Sequence, residues 1–150
     1  MTVRPVEVGD VDALLELRQA LFGSVRETDA TWIGACRQIL LDGLATGDIA
    51  GVIAHTDDGI PLGSALARVQ RWLPSPANPT GLKGYIGSWS TADTSPEHVA
   101  IAVLQRLVDL LNRRGVDEII IHANEATIDL ARGLCFREDL DSIELTRVGT

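Results

Sequence analysis

The chain predicts a mixed α/β (α+β) domain: a central, mostly antiparallel sheet with one right-handed parallel crossover between its fourth and fifth strands, flanked by four helices. Three observations carry this expectation. Two extended apolar runs, DIAGVIAHT and IPLGSALARVQRWL, are joined by Asp57-Asp58-Gly59, and an Asp-Gly pair between such runs is the strongest short-range hairpin signal. A long amphipathic pattern over residues 96 to about 114, closed by Gly115, lies between the strand-like runs GYIGSWST and VDEIIIHA. A strand-helix-strand unit of that kind crosses over right-handedly and leaves its two strands parallel. Finally, alternating runs begin and end the chain, with helical spacing between them.

Taken in order, TVRPVEV (residues 2–8) alternates apolar and polar positions and reads as a first strand, with Pro5 confining it to an edge or a bulge. Asp10 caps the helix that follows, where Val11, Leu14, Leu15, Ala20 and Leu21 fall near one face and Glu16, Arg18 and Gln19 stay out. In a second helix Trp32, Ile33, Cys36, Ile39 and Leu40 recur at helical spacing, and Gly47 ends it. After the hairpin, PSPANPTGLK (residues 74–83), with three prolines and a glycine, reads as a loop without regular structure. The β-branched VDEIIIHA reads as a strand buried on both faces. A short helix over residues 125–134 and a last strand, SIELTRV (residues 142–148), complete the order β-α-α-β-β-β-α-β-α-β.

With 150 residues, 45% hydrophobic and 23% charged, the chain suits one core and a single domain over residues 1–150. A formal charge of −8 argues against nucleic-acid or anionic-membrane partners and inclines the choice toward a small-molecule substrate, a cationic one first. No apolar run approaches the roughly 18 residues of a membrane span, so the protein is read as cytoplasmic. Cys36 and Cys135 support neither a disulfide framework nor a CxxC metal site, and no His/Cys/Asp cluster has metal-ligand spacing. Lys83 is the lone lysine among many arginines, a bias that hints at a bacterial source. A homodimer is compatible with all of this.

The crossover places the N-terminus of the long helix beside the C-terminal ends of the two parallel strands, where open α/β sheets bind ligands. Candidate acid/base or amine-binding groups there are Asp93, Glu97 and His122; His98 lies in the same first helical turn. Each has a plainer alternative. Glu97 also serves a helix N-terminus by favouring its dipole, His98 reads more readily as an exposed helix residue, His122 also as a hydrogen-bonded core histidine, and Trp89 as a core residue. Asn124 precedes a helix and is a common N-cap type, while Cys135 reads more readily as a packed thiol than as a nucleophile.

Two local patterns resemble the GNAT superfamily of acyl-CoA-dependent N-acyltransferases. NEATIDLARGLCF is similar to the family's N-x-x-A-x-x-L-Y-x-x-x-G-F at Asn124, Leu130 and Phe136, and departs at Thr127, Ala131 and Cys135. The family's Q/R-x-x-G-x-G/A, anchored on Ala102-Val103-Leu104, falls on Ser95, His98 and Ala100, and only Ala100 fits. The resemblance implies the GNAT fold, acetyl-CoA as cofactor and N-acetyl transfer to a small-molecule amine. It further implies that Ser88, Trp89 and Ser90 present backbone to pantetheine, that His98, Val99 and Ala100 meet the diphosphate, and that Asn124 bonds backbone or the cofactor arm.

The departures cut the other way. Ala131 stands where a tyrosine commonly protonates the departing thiolate. Ser95-Pro96-Glu97 reads as a self-capping helix start, with the Ser95 hydroxyl accepting a backbone N–H. Losing a charge-assisted hydrogen bond costs roughly 1.5–3 kcal/mol, so this start argues for CoA binding weakened by about a hundredfold or more. Two functional classes therefore stand: a GNAT-like acetyltransferase, and a GNAT-fold protein that no longer uses acetyl-CoA, catalysing another reaction such as cyclisation or isomerisation or acting as a ligand-binding protein.

Overall fold

The computed structural model describes residues 1–22, 31–139 and 145–149. Strands β1 (Thr2–Pro5), β2 (Ile49–His55), β3 (Pro61–Arg71), β4 (Leu82–Thr91) and β5 (Glu118–Ile121) form one sheet in the order β1-β2-β3-β4-β5. The first three pairings are antiparallel and β4 pairs with β5 in parallel. The parallel pair follows from α3 (Glu97–Arg113), which carries the chain back along the sheet between them. Helices α1 (Val11–Phe22), α2 (Thr31–Thr46) and α4 (Ile128–Gly133) complete the set, with a 3₁₀ turn at Val8–Asp10. Pro5 sits at the end of an edge strand, where its missing N–H breaks no ladder. The Asp-Gly turn closes as expected: Gly59 has φ +85° and donates to the Thr56 carbonyl at 2.9 Å.

Helix α3 covers one face of the sheet. Its residues Val99, Val103, Leu104, Leu107 and Leu111 recur at helical spacing and are all buried, against Val52, Ala65, Ala67 and Ile86. Small residues on the sheet permit this close approach; a Cβ at Gly84 would come within 3.2 Å of Leu111 and Val116. Helices α1 and α2 cover part of the other face, burying Leu14, Leu15 and Leu40 on Ile53 and Leu66. Arg4 of β1 grips the Asp10 carboxylate with two bonds of 2.8 Å, and that carboxylate also accepts the Glu7 N–H at 2.8 Å. The Arg4 hydrogen bond holds the Asp10 carboxyl below its ordinary value, against the opposing effect of burial. No helix among the described residues is long and apolar enough to cross a membrane.

Several elements differ from the sequence reading. Asp10 caps backward onto Glu7 rather than forward into α1. Helix α1 buries Leu17 instead of Ala20 and Leu21, because its last turn leaves the sheet and sets Phe22 edge-on against Trp32, centroids 5.5 Å apart. The proline-rich stretch is an ordered continuation of the β3–β4 hairpin: Trp72 donates to Gly81 at 2.7 Å, and Ser75 and Asn78 exchange backbone bonds of 3.0 Å. Its anchor is Asn78, 2% exposed, whose Nδ2 donates to the Leu82 carbonyl at 3.1 Å and to Glu118 Oε2 at 3.0 Å. All four residues of β5 are half-buried, not buried on both faces, since β5 is the edge of the described sheet. The first part of the expected last strand, residues 142–144, lies outside the described residues, and residues 145–148 belong to no strand.

Candidate active site at the divergence of β4 and β5

Pairing between β4 and β5 runs from Lys83 opposite Glu118 to Ile86 opposite Ile121, and stops. On its other side β4 faces β3, where the register jumps: Ala67 lies opposite Ile86 but Leu66 opposite Ser88, so Gly87 is an inserted residue. Such a bulge bends its strand and increases the local twist. From Gly87 to Thr91 the edge of β4 turned away from β3 therefore has no strand partner among the described residues. Unpaired peptide groups of this kind are obligatory hydrogen-bonding sites for a ligand or water. Gly87 also lacks a neighbour: a Cβ there would meet nothing within 4 Å, which leaves its backbone open to close approach.

Beside the bulge, on the α1/α2 side of the sheet, lies a cleft of about 610 Å³. Leu66 and Ile120 contribute from the sheet, and Cys36, Ile39 and Leu40 from α2. This explains why Ile39 is 64% exposed: its helical face looks into the cleft rather than the core. The polar groups on the wall are Arg18, Arg68, Tyr85, Ser88 and His122, with the indole of Trp32. Arg68 and Tyr85 are cross-strand partners, and the Arg68 guanidinium stands 5.6 Å from the Tyr85 ring centroid, a cation–π arrangement. Neither was singled out from the sequence as a site residue. The available signal was an arginine between Ala67 and Val69, where strand alternation turns it onto the opposite face from those core residues.

Of the three expected acid/base residues, only His122 borders the cleft. Asp93 is exposed in the turn after β4, and Glu97 is exposed in the first turn of α3 beside His98. Ser88 is 8% exposed and lines the cleft; the Ser90 hydroxyl is buried 3.5 Å from that of Ser64. Trp89 points to the other face, where its Nε1 donates to the Ala100 carbonyl at 3.0 Å, tying β4 to the start of α3. Val99 is a core side chain whose N–H bonds the Pro96 carbonyl at 3.0 Å. Asn124 is engaged locally, its Oδ1 accepting the N–H groups of Ala126 and Thr127 at 2.9 and 3.1 Å. Ala131 is buried in α4, and Cys135, where the resembled pattern has glycine, adopts φ +67°.

The expected self-capping of α3 does not occur. The Ser95 hydroxyl donates to the Leu62 carbonyl at 2.8 Å, fastening the loop to β3, and the N-cap is Pro96, with no side-chain cap. The first-turn N–H groups of Glu97 and His98 are thus not sealed by a capping side chain, and the positive end of the helix dipole stays accessible. Glu97 is the acidic residue of that turn.

By sequence the chain matches no family model and no curated protein. Solved structures do match it in shape. A predicted acetyltransferase from Clostridium acetobutylicum, crystallised with acetyl-CoA, superposes with a TM-score of 0.83 at 22% identity, over 97% of this chain and 95% of that one. A GCN5-related N-acetyltransferase from Ralstonia eutropha gives 0.78 at 24% identity, over 97% of each chain. Glucosamine-6-phosphate N-acetyltransferase from Arabidopsis thaliana gives 0.71 at 15% identity, over 98% and 97%. The chain has the fold of the GNAT N-acetyltransferases.

Proposed function

We propose that the protein transfers an acetyl group from acetyl-CoA to a small-molecule amine. The observation that carries this reading is the unpaired edge of β4 beyond Gly87, which opens between an apolar cleft and the uncapped N-terminus of α3. Acetyl-CoA supplies the acyl group as a thioester, its C–S bond breaking as the amine N–C bond forms, with one proton leaving nitrogen and one reaching sulfur.

The residues present fit such a cofactor at its arm. The backbone of Gly87, Ser88, Trp89 and Ser90 offers peptide groups to an extended ligand, and the bare Gly87 lets it approach. At the helix end, the N–H groups of Glu97 and His98 suit phosphate oxygens, while Val99 and Ala100 fix the turn through the core and Trp89. The Glu97 carboxylate opposes a diphosphate there and weakens its hold. Asn124 acts at one remove, by setting the loop before α4. At the cleft His122 takes the proton of the incoming amine, histidine being the side chain suited to exchange near neutral pH; Glu97 and Asp93 are exposed and do not line the cleft. Ala131 has no hydroxyl, so the proton that closes the reaction comes from solvent.

Ala131 and Glu97 together favour a second reading, a GNAT-fold protein whose cleft binds a ligand without acetyl-CoA. Calorimetry with acetyl-CoA separates the two. Micromolar binding is expected, weakened about tenfold or more in Gly87→Leu, whose side chain enters the open space beside the bulge. The melting temperature of that variant should stay at the parent value. No heat at millimolar acetyl-CoA would remove acetyl transfer and leave the second reading.

A further inference from the structure

We infer that the cleft selects an acceptor amine whose far end carries an oxyanion, carboxylate or phosphate, joined to the amine by an apolar spacer. The role of the amine rests on the acetyl-transfer reading; the seat for the oxyanion does not.

Four observations support this. First, the described wall of the cleft contains Arg18 and Arg68 and no aspartate or glutamate, in a chain whose formal charge is −8. The charged side chains of this wall are opposite in sign to the chain as a whole, and a cleft with low-dielectric walls concentrates their field. Second, among the described residues neither arginine has a carboxylate partner. Arg18 stands 5.5 Å from the Phe22 ring and Arg68 5.6 Å from that of Tyr85, so both guanidinium groups keep their hydrogen-bonding forks for a ligand oxyanion. Third, the indole N–H of Trp32, on the same wall, is buried without a partner among the described residues, and adds a donor of the same sense. Fourth, the spacing is defined. Arg68 lies opposite Tyr85, two residues before Gly87, which at about 3.3 Å per residue places the guanidinium level roughly 7 Å from the bulge. Between them the floor is aliphatic, from Leu66 and Ile120. A cationic far end would face two guanidinium groups in an apolar surround.

The test uses amines with one six-carbon spacer and different far ends: 6-aminohexanoate, 6-aminohexyl phosphate, hexylamine and 1,6-diaminohexane. With acetyl-CoA, one or both anionic compounds should exceed hexylamine in kcat/KM by about tenfold or more, and the diamine should rank last. The ranking of the two anionic compounds separates carboxylate from phosphate. Arg68→Met and Arg18→Met should each shrink the anionic advantage, and the double variant should abolish it. A second measurement needs no cofactor: calorimetry of 6-acetamidohexanoate against the uncharged 6-acetamidohexanamide. If no amine is acetylated but the carboxylate binds better and loses that advantage in the double variant, the oxyanion seat stands and acetyl transfer falls. If the amines are acetylated without regard to charge and the two acetamides bind alike, the oxyanion seat falls alone. Preference for the diamine, or an anionic preference that survives the double variant, also overturns it.

Discussion

In β2 and in β3 five consecutive residues are buried, whereas β5 has none that is fully buried and β4, from Gly84 on, alternates buried positions with half-buried ones and the exposed Gly87. Strand β5 is three isoleucines after one glutamate and is still only half-buried, so composition alone does not produce the difference. Position does. Strands β2 and β3 lie between α3 on one face and α1 with α2 on the other, while β4 departs from β5 after one inserted residue and β5 closes the described sheet. One half of the sheet can thus hold the fold while the other exposes backbone and polar side chains to a ligand.

The sharpest way to break this contrast is to empty the packed half. Leu107, fully buried under α3, should cost about 2–5 kcal/mol on truncation to alanine, read from urea unfolding; a loss below about 1 kcal/mol would mean that the α3 layer is not what stabilises the sheet. A smaller effect is expected at the β1 margin. Asp10→Asn should lose about 1 kcal/mol near neutral pH, since its partner Arg4 is partly exposed and solvent screens the pair. Because folding lowers the Asp10 value from 3.8, its contribution is fully present above that pH and disappears as pH falls through the lowered folded value. Stability curves of parent and variant should therefore converge in acid, and a constant gap would exclude the charge as the cause. The smallest effect lies in the open half and has the opposite sign. Cys135, at φ +67°, bears a left-handed strain of about 1–2 kcal/mol, partly offset in glycine by chain entropy. Cys135→Gly should raise the melting temperature by roughly 2 °C, and no rise would show that the surroundings already relieve the strain.

What the sequence disclosed follows the same division. Local chemistry was legible: the Asp-Gly turn, the glycines that end α2 and α3, the edge proline, and the apolar stripe of α3, each written in neighbouring residues. The parallel crossover was legible because connection handedness is nearly invariant. The bulge was not, since Gly87 in GYIGSWST looks like an ordinary strand glycine until β3 is set beside it. Nor was the fate of Ser95, whose hydroxyl finds a carbonyl 33 positions away instead of its own helix. The cleft arginines were hidden for a related reason: Arg18 and Arg68 belong to different elements, and only the fold brings them to one wall.

Asn78 and Lys83 both hold Glu118 at the root of the parallel pair, at 3.0 and 3.4 Å, and all four residues of β5 pair with β4, which alone runs on past Ile86. That makes β4 a rail, clamped to a neighbour along its first half and bare along its second. Because β3 holds that bare stretch from behind, a guest meets it as a fixed edge rather than a yielding one.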